Sequence, residues 1–309
     1  METARLILDP AADGAWNMSV DQALLETADS TGLISLRFYT WSQPTLSLGY
    51  FQSHLDRKFH PPSLNCQLVR RRTGGGAILH DDELTYSLCV PSKNRWSQKN
   101  SELYRLVHRC IVQLLDETGI KSQLHGDAKE ARKTAELDLS EEASKEASKE
   151  ASKEASKETS KETSKETSKG PLEKPAPAPQ KGLLNELSDN LAPTVDQNSF
   201  MCFDRRSDGD IVIQGHKVVG SAQRRIKNSL LQHGSILLKR SSFAPKLKGI
   251  ADLSNFGLNR EELSKMLATR VFKCLRVQAF EGTMKAPEIE AAKKAHSLQF
   301  NSEQWNQQR

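Results

Sequence analysis

The chemistry-bearing residues of this sequence begin with a cysteine and a lysine fifteen positions apart, Cys202 and Lys217. Cys202 stands in Phe200-Met201-Cys202-Phe203, outside any regular apolar periodicity. A thiol attacks carbon only as thiolate, so a cation held beside it is what a nucleophilic cysteine requires. Lys217 follows Gly215-His216, a pair that reads as a two-residue hairpin loop. Such a hairpin could fold Lys217 back toward Cys202, although for a lone cysteine an inert buried thiol is the commoner outcome.

The second stretch is Arg70-Arg71-Arg72-Thr73-Gly74-Gly75-Gly76-Ala77, continued by His80-Asp81. Three glycines let a backbone approach a ligand and turn amides toward an oxyanion or phosphate, and arginines pair with anions. The run lacks Gly-Lys-Ser/Thr and the Gly-x-Gly-x-x-Gly spacing, so it is neither of the common nucleotide loops. A flexible turn beside a solvated arginine face is the plain alternative. The other thiols have plainer explanations: Cys110 and Cys274 fall on helical apolar stripes, and Cys66 shares a strand face with two leucines. Cys89 falls on the more polar face of its strand. Five cysteines without a Cys-x-x-Cys pair argue against a zinc or disulfide framework and for a reducing, cytoplasmic setting.

These residues need elements to hold them. Arg5–Leu8, Ser35–Tyr39, Thr45–Tyr50, Leu64–Arg70 and Leu84–Val90 read as strands, the last two alternating. Leu64, Cys66 and Leu68 are expected on one face. Asp210–Gln214 and Lys217–Arg224 are expected to form the hairpin, with Leu230–Leu238 as a third strand. Helices are expected around Met18–Ala28, over Ser101–Thr118 with Leu103, Leu106, Val107, Cys110, Ile111, Leu114 and Leu115 on one stripe, and over Arg260–Leu275. Strands mixed with helices and hairpins indicate an α/β or α+β fold with a partly antiparallel sheet.

The 309 residues contain one interruption, seven tetrapeptides over residues 142–169 reading Glu-Ala-Ser-Lys four times and Glu-Thr-Ser-Lys three times. The repeats have no apolar stripe and can bury nothing, so the low-complexity region, roughly 126–197, is expected to be a mobile, partly helical insert stiffened by Pro175, Pro177 and Pro179. It dilutes a mean hydropathy of −0.60; the remaining residues are about 41% hydrophobic, enough for one sizeable core. Removing seven Lys and seven Glu from 44 basic and 39 acidic side chains leaves 37 and 32, still +5. That mild excess fits an enzyme with an anionic partner as well as it fits a weak nucleic-acid binder. No apolar run approaches the roughly 18–20 residues of a membrane span.

Taken together and in order, the two stretches resemble the biotin/lipoate protein ligase catalytic family, specifically its lipoate-attachment branch. The residues that carry the resemblance are Asn17-Met18, Ser47-Leu48-Gly49-Tyr50, Arg70-Arg71, Thr73 to Ala77, His80-Asp81, Gly215-His216-Lys217, Gly220-Ser221-Ala222-Gln223 and Gln232-His233-Gly234-Ser235. The resemblance implies one catalytic domain with a mixed, partly antiparallel sheet flanked by helices, ending in a short helical tail over about 258–309. It implies substrate-binding roles for Arg70, Arg71, Thr73, Gly74, Gly75, Gly76, Ala77, His80, Gly220, Ser221, Ala222, His233 and Gly234.

Within that branch, Cys202-Phe203 and Lys217 are similar in motif and spacing to the LipM-type octanoyltransferases. This implies transfer of octanoyl from octanoyl-acyl carrier protein, through a Cys202 thioester, to a lysine of a lipoyl-domain protein such as glycine cleavage H protein, without a cofactor or metal. Two other readings stay open. An ATP-dependent lipoate-protein ligase would use ATP and Mg to make lipoyl-adenylate, with Lys217 on the activated acyl group and Cys202 a bystander. A non-catalytic binding module of the same fold would use neither. His216, where a basic residue is common, and the repeat insert depart from the pattern.

Overall fold

A computed structural model describes residues 2–127 and 199–309; the repeats, the prolines and the rest of the expected insert from residue 128 lie outside the described residues. The first strand, β1 (Thr3–Leu8), leads into α1 (Gly14–Thr31). Asp13 caps α1 by accepting the Trp16 amide at 2.9 Å, and Gly32 ends it at φ +65°. Next come β2 (Ile34–Tyr39), β3 (Thr45–Leu48), β4 (Gln67–Arg70), β5 (Ile78–His80), β6 (Glu83–Val90), α2 (Asn100–Glu117) and β7 (Gln123–Leu124). The second described stretch supplies β8 (Ile211–Ile213), β9 (His216–Ile226), β10 (Ser229–Leu237), the short α3 (Ile250–Leu253), α4 (Arg260–Leu275), β11 (Gln278–Glu281), α5 (Ala286–Ala295) and the one-turn α6 (Glu303–Asn306).

Eight strands form a mixed sheet in the order β11-β1-β2-β6-β10-β9-β8-β7, parallel at β11-β1-β2 and antiparallel elsewhere. A small sheet, β4-β3-β5, carries the glycine run between its strands β4 and β5. β6 is central, and all eight of its residues are buried. Leu84, Tyr86, Leu88 and Val90 join the stripes of α2 and α4 in the main core, whereas Cys89 packs with Val20, Ala23 and Leu24 of α1. Alternation therefore separates two buried faces here, and the more polar face carrying Cys89 is covered by α1. On α2, Leu103, Val107, Cys110, Ile111, Leu114 and Leu115 are all sealed from water; burial is worth about 1.5–3 kcal/mol for each large apolar side chain.

Three local expectations change, the first being that Cys274, expected on the apolar stripe of α4, is exposed. Leu64 is exposed in a 3₁₀ turn over Pro61–Asn65, and the strand begins at Gln67. Prolines favour the start of a helical turn and donate nothing to a sheet, so Pro61-Pro62 shorten the strand. The hairpin loop between β8 and β9 is Gln214-Gly215, one residue earlier than expected, with φ values of +48° and +78°. Positive φ at both central residues is the geometry whose twist matches antiparallel strands.

The C-terminal segment is more than helices. β11 pairs in parallel with β1, and α5 packs on α1, where Arg5 on β1 grips Glu288 through two hydrogen bonds of 2.6 and 2.9 Å, both side chains buried. Among the described residues no helix is long and apolar enough to cross a membrane.

Candidate active site

The glycine run and the cysteine, far apart in the chain, meet through main-chain hydrogen bonds. Ala77 N donates to Phe200 O at 2.9 Å and Cys202 N donates to Ala77 O at 2.7 Å. A Cβ on Gly76 would lie 2.9 Å from Cys202 N and 3.0 Å from Cys202 Cα. Only a glycine lets the segment that carries the thiol lie this close.

Lys217 reaches the same point from β9. Its Nζ lies 3.6 Å from Cys202 Sγ and donates to Cys202 O at 3.3 Å. Asp210 Oδ2 holds the ammonium at 2.8 Å, with both side chains buried, and itself accepts from Ser207 N at 2.7 Å. A Cβ on Gly220 would strike Lys217 Cε at 2.6 Å. The bare backbone at position 220 is the space the lysine side chain occupies.

Cys202 opens on a cavity with about 440 Å³ of empty space, mouth included. Its lining includes Met18, Tyr39, Trp41, Ile78, Thr85, Ala222 and Ser235 together with Arg71, Gly74, Gly75, His80, Gly220, Ser221, His233 and Gly234. The walls are mostly apolar and the polar groups are already paired, which suits an aliphatic chain.

Three buried networks set those polar groups. Arg71 donates to Ser47 Oγ at 2.7 Å and to the carbonyls of Ser47, Gly74 and Gly76 at 2.8, 3.1 and 2.9 Å. It thereby clamps the glycine run from within; burial pushes its guanidinium down to about 10, against the pull of Cys202. Ser47 in turn meets His80 Nε2 at 2.7 Å, and His80 Nδ1 meets Glu83 at 2.7 Å while its ring stacks on Trp41 at 3.8 Å. Burial holds the His80 imidazole below its ordinary value although Glu83 opposes it. A neutral ring donating to Glu83 and accepting from Ser47 satisfies every partner.

The second network joins His233 to Asp21 at 3.1 Å and to Thr73 Oγ1 at 2.8 Å. Burial raises the Asp21 carboxyl, but the bond from His233 and the charge of Arg37, 2.9 Å away, hold it below the usual range. In the third, His108 donates from Nδ1 to Gly209 O at 2.6 Å and accepts from Ser221 Oγ at 2.6 Å. Tyr86 donates to that Ser221 oxygen at 2.7 Å, and Gln232 donates to Tyr86 at 2.9 Å. Burial pushes His108 down to about 4 and Tyr86 up to about 12.

Of the residues the sequence singles out, Cys202, Arg71, Gly74, Gly75, His80, Gly220, Ser221, Ala222, His233 and Gly234 line the cavity, with Lys217 against the thiol. Thr73, Gly76 and Ala77 support it from behind. Arg70 is elsewhere: its guanidinium ties the carbonyls of Gly49, Tyr50 and Gln52 to those of Trp305 and Asn306. Sequence reasoning missed Trp41, Glu83, His108 and Asp210, isolated residues with no pattern around them. Among the described residues no group of three or more His, Cys, Asp or Glu side chains is placed to hold a metal.

Comparison with known proteins assigns the chain to a family. Residues 13–145 match the lipoyl protein ligase A/B catalytic domain and residues 171–241 the biotin/lipoate A/B protein ligase family, and the chain belongs to that family. Octanoyltransferase LipM of Halalkalibacterium halodurans is 28% identical over 333 aligned positions, covering 99% of each chain. The LipM of Brevibacillus brevis is 29% identical over 100% of each. In fold, the chain is similar to a crystal structure of lipoate-protein ligase A bound with ATP, with TM-score 0.63, 18% identity and 99% of each chain covered.

Proposed function

We propose that this chain is an octanoyltransferase of lipoate biosynthesis that works through a Cys202 thioester. The observation that carries the reading is the Lys217 ammonium 3.6 Å from the Sγ of Cys202, which lines a largely apolar cavity. The likeness to the LipM octanoyltransferases over 99–100% of the chain supports the same reading.

In the first half-reaction, the Cys202 thiolate attacks the thioester carbonyl of octanoyl-acyl carrier protein. The new Sγ–C bond forms, the bond to the carrier sulfur breaks, and the carrier leaves as a thiolate that takes up a proton. Lys217 donates a charge-assisted hydrogen bond to the attacking sulfur and, as the carbonyl becomes tetrahedral, to its oxyanion. In the second half-reaction, the amine of a lysine on a lipoyl-domain protein, such as glycine cleavage H protein, attacks the acyl-enzyme. The Sγ–C bond breaks with Cys202 leaving as thiolate beside the same ammonium, the attacking nitrogen gives up its extra proton to that sulfur, and an amide results. Passage from thioester to amide is downhill, so the transfer as written consumes no ATP.

The test is intact mass after incubation with octanoyl-acyl carrier protein and no nucleotide. An octanoyl adduct that disappears in Cys202→Ala is expected. Acceptor modification that needs free lipoate and ATP, with no adduct on Cys202, would support a ligase instead.

A further inference from the structure

Beside the cavity the fold gathers positive charge that the transfer chemistry does not use. Arg72 immediately precedes Thr73 and the glycine run, and Arg224 sits on β9 two residues beyond the cavity-lining Ala222, on the same face by the period of a strand. Arg224 Nη1 donates to the main-chain carbonyl of Arg72 at 2.7 Å, which holds the Arg224 side chain against the Arg72 backbone. Arg72 lies over the ring of Trp305 at 5.6 Å and Arg224 over Tyr50 at 5.9 Å. Neither arginine has a carboxylate within ion-pairing distance among the described residues. Burial and the charge of Arg72 both push the Arg224 guanidinium down, the signature of like charges held together.

Hydrogen bonding leaves the same gap. Arg72 Nη2 donates to Gln299 Oε1 at 2.9 Å, yet Arg72 Nε, Arg224 Nε and Gln299 Nε2 are withdrawn from water with no acceptor. Three buried donors and two guanidiniums converge without an anion, an arrangement that is costly until an acceptor-rich anion arrives.

We infer that Arg72, Arg224 and Gln299 form a phosphate-binding site at the mouth of the acyl cavity, taking the phosphodiester of the carrier's phosphopantetheine arm. The inference rests on the octanoyl-transfer reading for its choice of phosphate. Lys217 Nζ, and with it the Cys202 thiol, lies beside Gly220 of β9. The four-residue rise from Gly220 to Arg224 is about 13 Å, a span that a flexible pantetheine arm can cover with its thioester at Cys202 and its phosphate at the arginines. The planar donor forks of two guanidiniums match the two unesterified oxygens and the charge of a phosphodiester.

Binding and transfer are measured separately. Thermal stabilisation by 4′-phosphopantetheine and by pantetheine is compared for the full chain and for Arg72→Gln/Arg224→Gln, with circular dichroism to confirm that the variant is folded. Affinity of the unaltered chain for the phosphorylated compound is expected to be about tenfold or more tighter, and the double variant is expected to lose that preference. Arg72→Lys/Arg224→Lys, which keeps the charge, should keep part of it. Equal affinity for both compounds in the unaltered chain, or a preference that survives the double substitution to Gln, would overturn the site. The Cys202 adduct formed from octanoyl-phosphopantetheine against octanoyl-pantetheine is then followed by mass, where the rate ratio should fall toward one in the same variant. Phosphate-dependent binding without any Cys202 adduct would uphold the site and count against the transfer reading alone.

Discussion

Lys217 stands between Cys202 and Asp210, with its Nζ 3.6 Å from the sulfur and 2.8 Å from the carboxylate. One buried cation therefore faces a carboxylate on one side and, in the proposed mechanism, the reacting sulfur on the other. In that mechanism Asp210 holds the ammonium in place once the sulfur is acylated and uncharged.

This arrangement predicts separable effects on folding and activity. Lys217→Ala leaves the Asp210 carboxylate buried and unpaired, which is expected to destabilise the protein by about 3–5 kcal/mol. Adding Asp210→Asn should return most of that stability in urea unfolding without restoring Cys202 acylation. Recovery of acylation in the double variant would show that the ammonium does no chemistry.

Gly76→Ala tests the contact between the glycine run and the nucleophile segment. The new methyl would press on the Cys202 backbone at 2.9–3.0 Å. Displacement of a reacting group by about 1 Å commonly lowers rates on the order of 100-fold, and a fall of that size in single-turnover adduct formation is expected. A variant that acylates at the parental rate would show that the segment is not held there in solution.

His108 predicts an acid-sensitive limb of stability. Its folded value of about 4 lies below the ordinary 6.5, so as pH falls below 6.5 the unfolded chain takes up a proton that the folded chain refuses. Stability is untouched above that range and is lost as pH falls toward 4. Between pH 6.5 and 5 the loss from this group is about 2 kcal/mol. Urea unfolding of His108→Gln at both pH values should show a shallower fall than the parent by that amount; parallel slopes would assign the acid limb to other groups.

The Arg5–Glu288 pair tests whether the C-terminal segment belongs to the core. Glu288→Ala strands a buried guanidinium and is expected to cost about 3–5 kcal/mol, whereas an appended tail would tolerate the change within about 0.5 kcal/mol. Denaturant unfolding decides between them.

Much of this protein is legible in one dimension. The stripes of α2 and α4, the run from Thr73 to Ala77 and the Cys202–Lys217 spacing are local patterns, since helix and strand periodicity depends on neighbouring residues alone. Their limits are local too: Pro61-Pro62 took three residues from a strand that alternation had extended to Leu64, and the hairpin turned at Gln214-Gly215. A resemblance pointed to Arg70 beside Arg71, but the fold sends the first to the Trp305 segment and the second beneath the glycine run.

What tertiary structure alone decided is which faces meet. His108 reaches Ser221 across 113 residues, His233 reaches Asp21 across 212, and Arg72 meets Gln299 across 227. None of these pairs has a sequence signature, because periodicity says which side of an element is apolar but not which element will cover it. The strand order β11-β1-β2-β6-β10-β9-β8-β7 makes those choices. It carries β9 and β10 up to the glycine run, so that a thiol and an ammonium fifteen residues apart meet beside a cavity lined by groups from both halves of the chain.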